Sequence, residues 1–279
     1  MSQKTVLITG ASSGMGKRSA FYLAQKNYIV FAGVRNVEDQ TALQEQACAQ
    51  GLTLQTVRLD VTEPSSIIQA VQKVLDHVSY IDVLVNNAGF GVLATVEEAT
   101  DEEMLKQFDV NVFGTFRVCR AVLPSMRKHS KGVIINVSSF LGKMGFPLLT
   151  HYCSSKYALE GLTDSLRYEV HQFGIRVHSV LPGLFGTNFV KKGLVTNSAT
   201  SSKESPYAAL VSHLVPFIAE RINQGPDPIP VAQAIERVIE DEHSPIRVPV
   251  GVEAMNFLPM IKQMNDEDFE MAVRETFKI

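Results

Sequence analysis

Short apolar, β-branched runs alternate with amphipathic stretches along most of the chain. Seven of these runs are typical of strands, at residues 5–10, 28–34, 52–60, 81–87, 132–139, 175–183 and 245–250. Helical periodicity fills the intervals between them, at residues 14–26, 38–50, 64–78, 101–129, 152–173 and 230–242. Several runs are apolar almost throughout, as in parallel strands that are covered on both faces. The alternation therefore predicts an α/β fold of three layers, with a sheet between two layers of helices (α/β/α). Right-handed βαβ crossovers would build a doubly wound, seven-stranded parallel sheet.

Two later regions depart from this alternation. Residues 184–230 are polar and rich in turn formers, with one helix predicted in their second half. A segment of this length inside a compact domain is usually a functional loop or a disordered one. Residues 251–279 predict one or two amphipathic helices, with a helix cap at Asn265 or Asp266. We interpret 1–250 as one domain and 251–279 as its C-terminal helical extension, which either packs against the body or another subunit or covers a pocket.

Composition narrows the class of protein. Of the 279 residues, 45% are hydrophobic, which is enough to form a core. The net charge of -3 argues against nucleic acid as a partner, because binding to phosphate needs a basic surface. There is no run of about 18 apolar residues, so we predict no membrane span. The first apolar run begins at Val6 and leaves no room for an export signal. Three cysteines (Cys48, Cys119 and Cys153) fit a reducing compartment, so we expect the cytoplasm.

A glycine-rich stretch, TGASSGMG, joins the first predicted strand to the first predicted helix. Its glycines let a backbone approach a pyrophosphate, and the helix that follows presents free N–H groups and a positive dipole. An ordinary glycine turn is the alternative, but the position between strand and helix favours a phosphate loop. The residues that we expect to contact the dinucleotide here are Gly10, Ser12, Ser13, Gly14, Met15 and Gly16.

The end of the second predicted strand should select between NAD and NADP. A carboxylate there binds the ribose 2′-hydroxyl, whereas an arginine accepts a 2′-phosphate. The sequence reads FAGVRN, with Gly33 and Val34 followed by Arg35, and the first acid is Glu38. We therefore predict NADP(H) in preference to NAD(H), with Arg35 as the phosphate ligand. A solvated loop cation is the alternative reading of Arg35.

Tyr152 and Lys156 lie four residues apart in a predicted helix. This spacing puts a phenol and an ammonium on the same helix face. A nearby cation favours the ionised form of tyrosine, whose pKa is ordinarily about 10, so the pair could transfer a proton. The spacing also occurs by chance, and the surrounding motifs must decide between the two readings.

Seven motifs in order make the chain resemble the short-chain dehydrogenase/reductase family over about residues 4–250. They are TGASSGMG, LDV (59–61), NNAG (86–89), DVNVFG (109–114), INVSS (135–139), YCSSK (152–156) and PGLFGT (182–187). The resemblance implies a Rossmann fold and hydride transfer between nicotinamide and an alcohol or ketone. FAGVRN, the 184–230 segment and the C-terminal extension look most similar to the hydroxysteroid and retinol dehydrogenase branch.

The resemblance also implies residue roles. Its catalytic residues correspond to Asn111, Ser139, Tyr152 and Lys156, and Asn111 would hold a water that connects Lys156 to solvent. Lys156 would also bind the nicotinamide ribose. In addition to the phosphate loop and Arg35, the cofactor contacts correspond to Asp60, Val61, Asn86, Asn87, Ala88, Gly89, Tyr152, Lys156, Pro182, Gly183 and Thr187. No metal is expected.

These roles predict how the tyrosine works. Ser139 would hydrogen-bond the substrate oxygen and Tyr152 would exchange the proton. Lowering a tyrosine pKa by about 3 units requires roughly 4 kcal/mol, more than a lone exposed cation supplies. We therefore expect Lys156 and the positive nicotinamide ring to stabilise the tyrosinate together.

The substrate is predicted to be a small apolar alcohol or ketone. The candidate pocket walls, with plain packing as the alternative, are Leu141, Met144, Phe146, Pro147, Phe185, Phe189 and Leu194. We expect Cys153 to be a packed thiol and His213 to be solvated or near substrate. The family resemblance implies a homodimer or homotetramer. A dinucleotide-binding regulatory protein without turnover and an NAD-dependent dehydrogenase are the alternative functions.

Overall fold

The computed structural model describes residues 3–187 and 193–279, and its centre is a parallel sheet of seven strands. The strand order is β3-β2-β1-β4-β6-β7-β9, and β5 and β8 form a separate parallel pair. The strands are β1 (Thr5–Ile8), β2 (Ile29–Val34), β3 (Gln55–Arg58), β4 (Val83–Asn86), β5 (Gly91–Leu93), β6 (Gly132–Val137), β7 (Ile175–Pro182), β8 (Leu194–Thr196) and β9 (Arg247–Val250). The predicted doubly wound sheet is thereby confirmed.

Helices cover both faces of this sheet. They are α1 (Gly14–Gln25), α2 (Val37–Ala49), α3 (Pro64–Leu75), α4 (Asp101–Phe108), α5 (Gly114–Lys128), α6 (Thr150–Val170), α7 (Ala208–Asn223), α8 (Ile229–Glu240), α9 (Val252–Gln263) and α10 (Asp266–Phe277). Among the described residues, no helix combines the length and the apolarity needed to cross a bilayer.

Alternation along the strands divides the core into two layers. In β1, Val6 and Ile8 are buried with apolar side chains of α1, α2 and α8, whereas Leu7 is buried with those of α3, α5 and α6. Neighbouring side chains of a strand point to opposite faces, so a strand that is covered twice must be apolar at every position. The nearly continuous apolar runs in the sequence have this cause.

A third apolar cluster lies beyond the carboxyl ends of the strands, and we call it the C-terminal cluster. It joins the turn after β6 to α7, α9 and α10, and Phe277 of α10 lies edge-on to Phe146 with ring centroids 4.7 Å apart. Asn265 caps α10 by accepting a hydrogen bond from the Asp268 N–H at 2.8 Å, which confirms one of the two predicted caps. The extension therefore packs against the body of the protein.

The structure differs from the predicted elements in two places. The helix predicted over 101–129 is interrupted by a π-helical turn at Asp109–Phe113, which no hydrophobic pattern marks. The pairing of β5 with β8 was not predicted, because each contains three residues and gives no periodic signal.

His178 is a buried histidine inside β7, with 3% of its surface exposed. Its Nδ1 lies 2.9 Å from the Pro245 carbonyl, so Nδ1 donates and Nε2 accepts from the Arg176 guanidinium at 3.4 Å. Burial lowers the pKa of His178, and the positive charges of Arg176 and Arg167 lower it further. The native state therefore holds this imidazole neutral.

We expect this histidine to make the protein less stable in mild acid. Below about pH 6.5 the unfolded chain binds a proton that native His178 does not bind, so stability must fall as the pH falls. The loss should reach up to about 1.4 kcal/mol per pH unit. Urea unfolding at pH 7.5, 6.5 and 5.5 measures it. In His178→Asn, whose amide can replace the Nδ1 donor, the pH dependence should be shallower, and equal slopes would contradict the assignment.

Candidate active site

The turn between β1 and α1 has the shape of an anion-binding loop. Gly10 and Gly14 have φ values of +64° and +56°, which favour glycine, and a Cβ at Gly10 would lie 2.7 Å from the Ala88 Cα. α1 carries no acidic residue in its first turn, and the Ser13 side chain does not cap it. Free N–H groups and the helix dipole at this end can therefore receive a phosphate.

A buried threonine fixes this loop to the end of β4. The Thr9 hydroxyl accepts hydrogen bonds from the Asn87 and Ala88 N–H groups, each at 3.0 Å. The Asn87 amide in turn donates to the Thr9 and Gly10 carbonyls, also at 3.0 Å. Asn87, which we predicted as a cofactor contact, thus supports the loop through its NH₂ group. Thr9 had no predicted role, although it belongs to the glycine motif.

The next two strand ends carry the residues predicted to face the adenosine. Arg35 is exposed directly after β2, where Gly33 leaves no room for a larger residue because a Cβ there would lie 2.9 Å from the Ile8 carbonyl. After β3, Asp60 accepts hydrogen bonds from the Thr62 N–H at 2.9 Å and hydroxyl at 2.7 Å, and Val61 is buried. Arg35 is therefore an exposed cation at the end of β2.

The segment after β7 crosses toward the phosphate loop. Pro182 ends β7, and the Gly183 N–H donates to the Val250 carbonyl at 2.8 Å. The Thr187 Cβ lies 3.6 Å from the position that a Cβ would take at Gly14. Glu253 of α9 accepts from the Leu184 N–H at 2.9 Å and so ties the C-terminal extension to this segment. Sequence patterns gave no indication of Glu253. In α1, partly buried Met15 packs against the core and Gly16 is buried.

Ser139 and Tyr152 come together beside the end of β6. The Ser139 hydroxyl accepts a hydrogen bond from the Leu141 N–H at 3.1 Å. It also forms a hydrogen bond with the Tyr152 phenol that lowers the pKa of that phenol. Desolvation acts in the opposite direction and is the larger effect, so the pKa of Tyr152 is raised. The two side chains predicted to manage the substrate oxygen and its proton are therefore in contact.

Lys156 lies under the Tyr152 ring as an almost fully buried ammonium. Its Nζ is 5.7 Å from the ring centroid and donates to the Val137 carbonyl at 2.9 Å. Burial lowers the pKa of Lys156 to about 8, although the charge of Glu160 opposes this effect. The side chains around Tyr152 do not lower its pKa overall, because the desolvation of the phenol is the largest effect on it. The predicted lowering depends on the nicotinamide ring as well as on Lys156.

Asn111 lies in the π-helical turn and joins three segments of the site. Its amide donates to the Phe90 carbonyl at 2.9 Å and to the Ser155 hydroxyl at 3.0 Å, and it accepts from the Phe90 N–H at 3.0 Å. Ser155 donates onward to the Tyr152 carbonyl at 2.7 Å. A Cβ at Gly89 would lie 3.2 Å from the Asn111 Oδ1 and 3.8 Å from the Lys156 Nζ. Ser155 was not predicted, although it stands inside YCSSK.

Several predicted pocket walls lie next to Tyr152. Leu141, Met144 and Phe146 are buried in the C-terminal cluster, against which Tyr152 and Leu194 also pack. Pro147 is partly buried beside them. Phe185 instead belongs to the core layer that includes β1, so its role is plain packing. Phe189 lies outside the described residues.

Two other side chains now have a definite environment. Cys153 is a buried thiol whose pKa burial raises to about 11, which confirms the predicted packed cysteine. His213 lies on the exposed side of α7, and its Nε2 is 2.9 Å from the Phe277 carbonyl, at the end of α10. Its contact is with the C-terminal helix. Within the described residues, no group of three His, Cys, Asp or Glu side chains could hold a metal ion.

Comparison with known proteins assigns this arrangement to a family. The family described as short chain dehydrogenase matches residues 4–196. A 3-ketodihydrosphingosine reductase of Bacteroides thetaiotaomicron is 36% identical over 251 residues, which cover 90% of this chain and 89% of that protein. Human retinol dehydrogenase 8 is 36% identical over 252 residues, 88% of this chain and 80% of the relative.

Solved structures agree with these sequence relatives. A short-chain dehydrogenase from Streptomyces avermitilis has a TM-score of 0.82 and 34% identity, covering 100% of this chain and 98% of its own. An actinorhodin polyketide ketoreductase, in a structure with NADPH, has a TM-score of 0.77 and 26% identity, covering 91% and 98%. The family match over 4–196, the relatives matched over most of their length and the shared fold lead to one conclusion: this chain belongs to the short-chain dehydrogenase family of oxidoreductases.

Proposed function

We propose that this protein is an NADP(H)-dependent oxidoreductase that interconverts an apolar alcohol and its ketone, with Tyr152 as the general acid and base. One observation carries the proposal. The Tyr152 phenol is hydrogen-bonded to Ser139 and lies over the Lys156 ammonium, at the same edge of the sheet as the glycine loop. Ligands of open parallel sheets bind at this carboxyl edge.

The glycine-rich loop between β1 and α1 would bind the phosphates of the cofactor. Gly10, Gly14 and the first N–H groups of α1 would hold the pyrophosphate, and Thr187 would close over it. Arg35 would bind the 2′-phosphate, since the end of β2 presents this exposed guanidinium and no carboxylate at positions 33–35. The similar actinorhodin ketoreductase structure with NADPH supports the same preference. When bound, NADP(H) supplies the hydride and, in its oxidised form, a positive ring near the tyrosine.

The side chains of the protein hydrogen-bond the substrate oxygen and transfer one proton to or from it. In reduction, the Ser139 hydroxyl donates a hydrogen bond to the substrate oxygen as negative charge develops on it, and Tyr152 gives its proton to that oxygen. In oxidation, the tyrosinate takes the proton back. Lys156 stabilises that anion by its charge, and its burial prevents water from screening the interaction. Asn111 and Ser155 hold the backbone of this helix turn in place.

The proposed substrate class follows from the surroundings of Tyr152. Leu141, Met144 and Phe146 form an apolar boundary, and α9 and α10 close it from the other side. The related proteins named as a 3-ketodihydrosphingosine reductase and a retinol dehydrogenase support long apolar molecules as the first compounds to assay. NADPH oxidation with long-chain ketones, retinal and ketosteroids, compared with sugars, tests the class. Preferential turnover of sugars would contradict it.

Replacement of Tyr152 by phenylalanine should abolish the proton transfer. Turnover of the best ketone should fall by a factor of about 10² or more, because general acid catalysis contributes that much. NADPH binding, measured by fluorescence, should remain close to that of the wild type. Tyr157→Phe, an exposed phenol on the same helix, is the matched control and should keep full activity. Substantial turnover by Tyr152→Phe would show that another group supplies the proton.

Replacement of Arg35 by alanine should change the cofactor preference. The dissociation constant for NADPH should rise about tenfold or more, since a charge-assisted hydrogen bond contributes about 1.5–3 kcal/mol. The constant for NADH, which has no 2′-phosphate, should hardly change. Arg120→Ala removes the same charge from an exposed position on α5 and serves as the control. Equal weakening of both cofactors in Arg35→Ala would exclude this role.

A further inference from the structure

A second buried charge lies one helical turn beyond Lys156. Glu160 of α6 is 2% exposed, and its Oε2 accepts hydrogen bonds from the Arg247 Nε at 2.6 Å and the Ser179 hydroxyl at 3.2 Å. Its Oε1 is buried without a hydrogen-bond partner among the described residues. Removing a carboxylate from water is unfavourable even when it is paired with a cation, so we expect a role for Glu160 besides this ion pair.

Glu160 and Lys156 share one face of α6 because they are four residues apart. Close packing encloses both under the turn that carries Ser139. A Cβ at Gly142 would lie 3.1 Å from the Lys156 carbonyl oxygen and 3.2 Å from the Glu160 Cγ. The ammonium itself donates to a neutral group, the Val137 carbonyl. Within the part of the chain that the structure describes, the hydrogen-bond acceptor of this buried cation is uncharged, and Glu160 is a carboxylate on the same helix face.

We propose that Glu160, fixed by Arg247, is a positioning residue that keeps Lys156 in its charged form beneath Tyr152. This inference rests on the proposed function, in which Lys156 must be an ammonium to stabilise the tyrosinate. Burial alone favours the neutral amine, which could not do so. Glu160 acts through Lys156 and makes no contact with substrate in this scheme.

The described residues place the following charged and polar groups around the pair. Lys156 is faced by Tyr152 on its own helix and by the neutral amide of Asn111 across Gly89. Glu160 is faced by Arg247 of β9, whose second bond goes to the half-exposed Asp164 at 2.6 Å. The uncharged hydroxyls of Ser179 and Ser138 complete the surroundings. Burial lowers the pKa of Lys156 and the charge of Glu160 opposes this effect, with a net value of about 8.

The test measures the titration of Lys156 directly. In protein labelled with [ε-¹³C]lysine, the Lys156 signal is assigned by its absence in Lys156→Arg, and its shift is followed from pH 6 to 11. The midpoint should fall by about one pH unit in Glu160→Gln, because one favourable charge is lost. Asp164→Asn removes the other carboxylate bound to Arg247 and should titrate like the wild type. An unchanged midpoint in Glu160→Gln, or an equal shift in Asp164→Asn, would overturn the proposal.

Two further variants separate charge from packing. Glu160→Asp keeps the carboxylate and should restore most of the wild-type midpoint, which a purely steric role would not produce. Glu160→Leu removes the charge by introducing an apolar side chain. It is measured in place of Glu160→Gln if that variant does not fold. A Lys156 midpoint in Glu160→Leu equal to that of the wild type would also contradict the assignment.

Activity provides the second measurement. The alkaline limb of the pH–kcat profile should move to lower pH in Glu160→Gln and stay in place in Asp164→Asn. The two proposals fail separately. If Tyr152→Phe retains its turnover, the proposed acid is wrong while the Lys156 midpoint still reports on Glu160. If Tyr152→Phe is inactive and the midpoint is unchanged in Glu160→Gln, only the role of Glu160 is wrong.

Discussion

An ammonium held away from water at the carboxyl end of β6 is the constraint on which the site depends. Lys156 is 5% exposed, and removing a cation from water is unfavourable unless other groups compensate. The Val137 carbonyl, the Tyr152 ring and the Glu160 carboxylate are the groups that surround it. Each comes from a rigid strand or helix, so the lysine and the phenol above it have little freedom to move apart.

Parallel strands make this arrangement possible. Because β1, β4 and β6 are adjacent and end at the same edge, the phosphate loop, the NNAG turn and Ser139 become neighbours without any long loop. The Thr9 and Asn87 hydrogen bonds then fix the loop to β4, and Asn111 fixes the turn after β4 to α6. The glycine loop and the proposed proton-transfer pair are therefore held together by one set of hydrogen bonds.

The C-terminal helices both pack against the body of the protein and hydrogen-bond to the segment after β7. α9 and α10 bury Phe257 and Phe277 against the turn that carries Leu141 and Phe146, and Glu253 holds the backbone after β7. The same extension thus borders the proposed substrate pocket and holds in place the segment proposed to carry the nicotinamide. A change in this extension should affect substrate choice and cofactor binding together.

Much of the site was predictable because its signals are local. The glycine spacing, the strand–helix alternation and the four-residue interval from Tyr152 to Lys156 each depend on backbone geometry over a few residues. They predicted the sheet, the glycine-rich turn and the shared helix face of Tyr152 and Lys156, whereas the role of Ser139 beside Tyr152 followed from the family resemblance. The cap of α10 is also a local signal, because the Asn265 side chain accepts a hydrogen bond from the Asp268 N–H three residues later.

Other contacts were decided by the tertiary structure alone. Thr9 meets Asn87 across 78 residues, Glu160 meets Arg247 across 87, and β5 pairs with β8 across 103. Which partner a buried polar group finds depends on strand register and helix packing, and no local pattern encodes these. The sequence by itself determined the fold, the loop and the catalytic candidates. Only the packed structure decided that burial raises the Tyr152 pKa and that Arg247, 87 residues away, pairs with the buried Glu160 carboxylate.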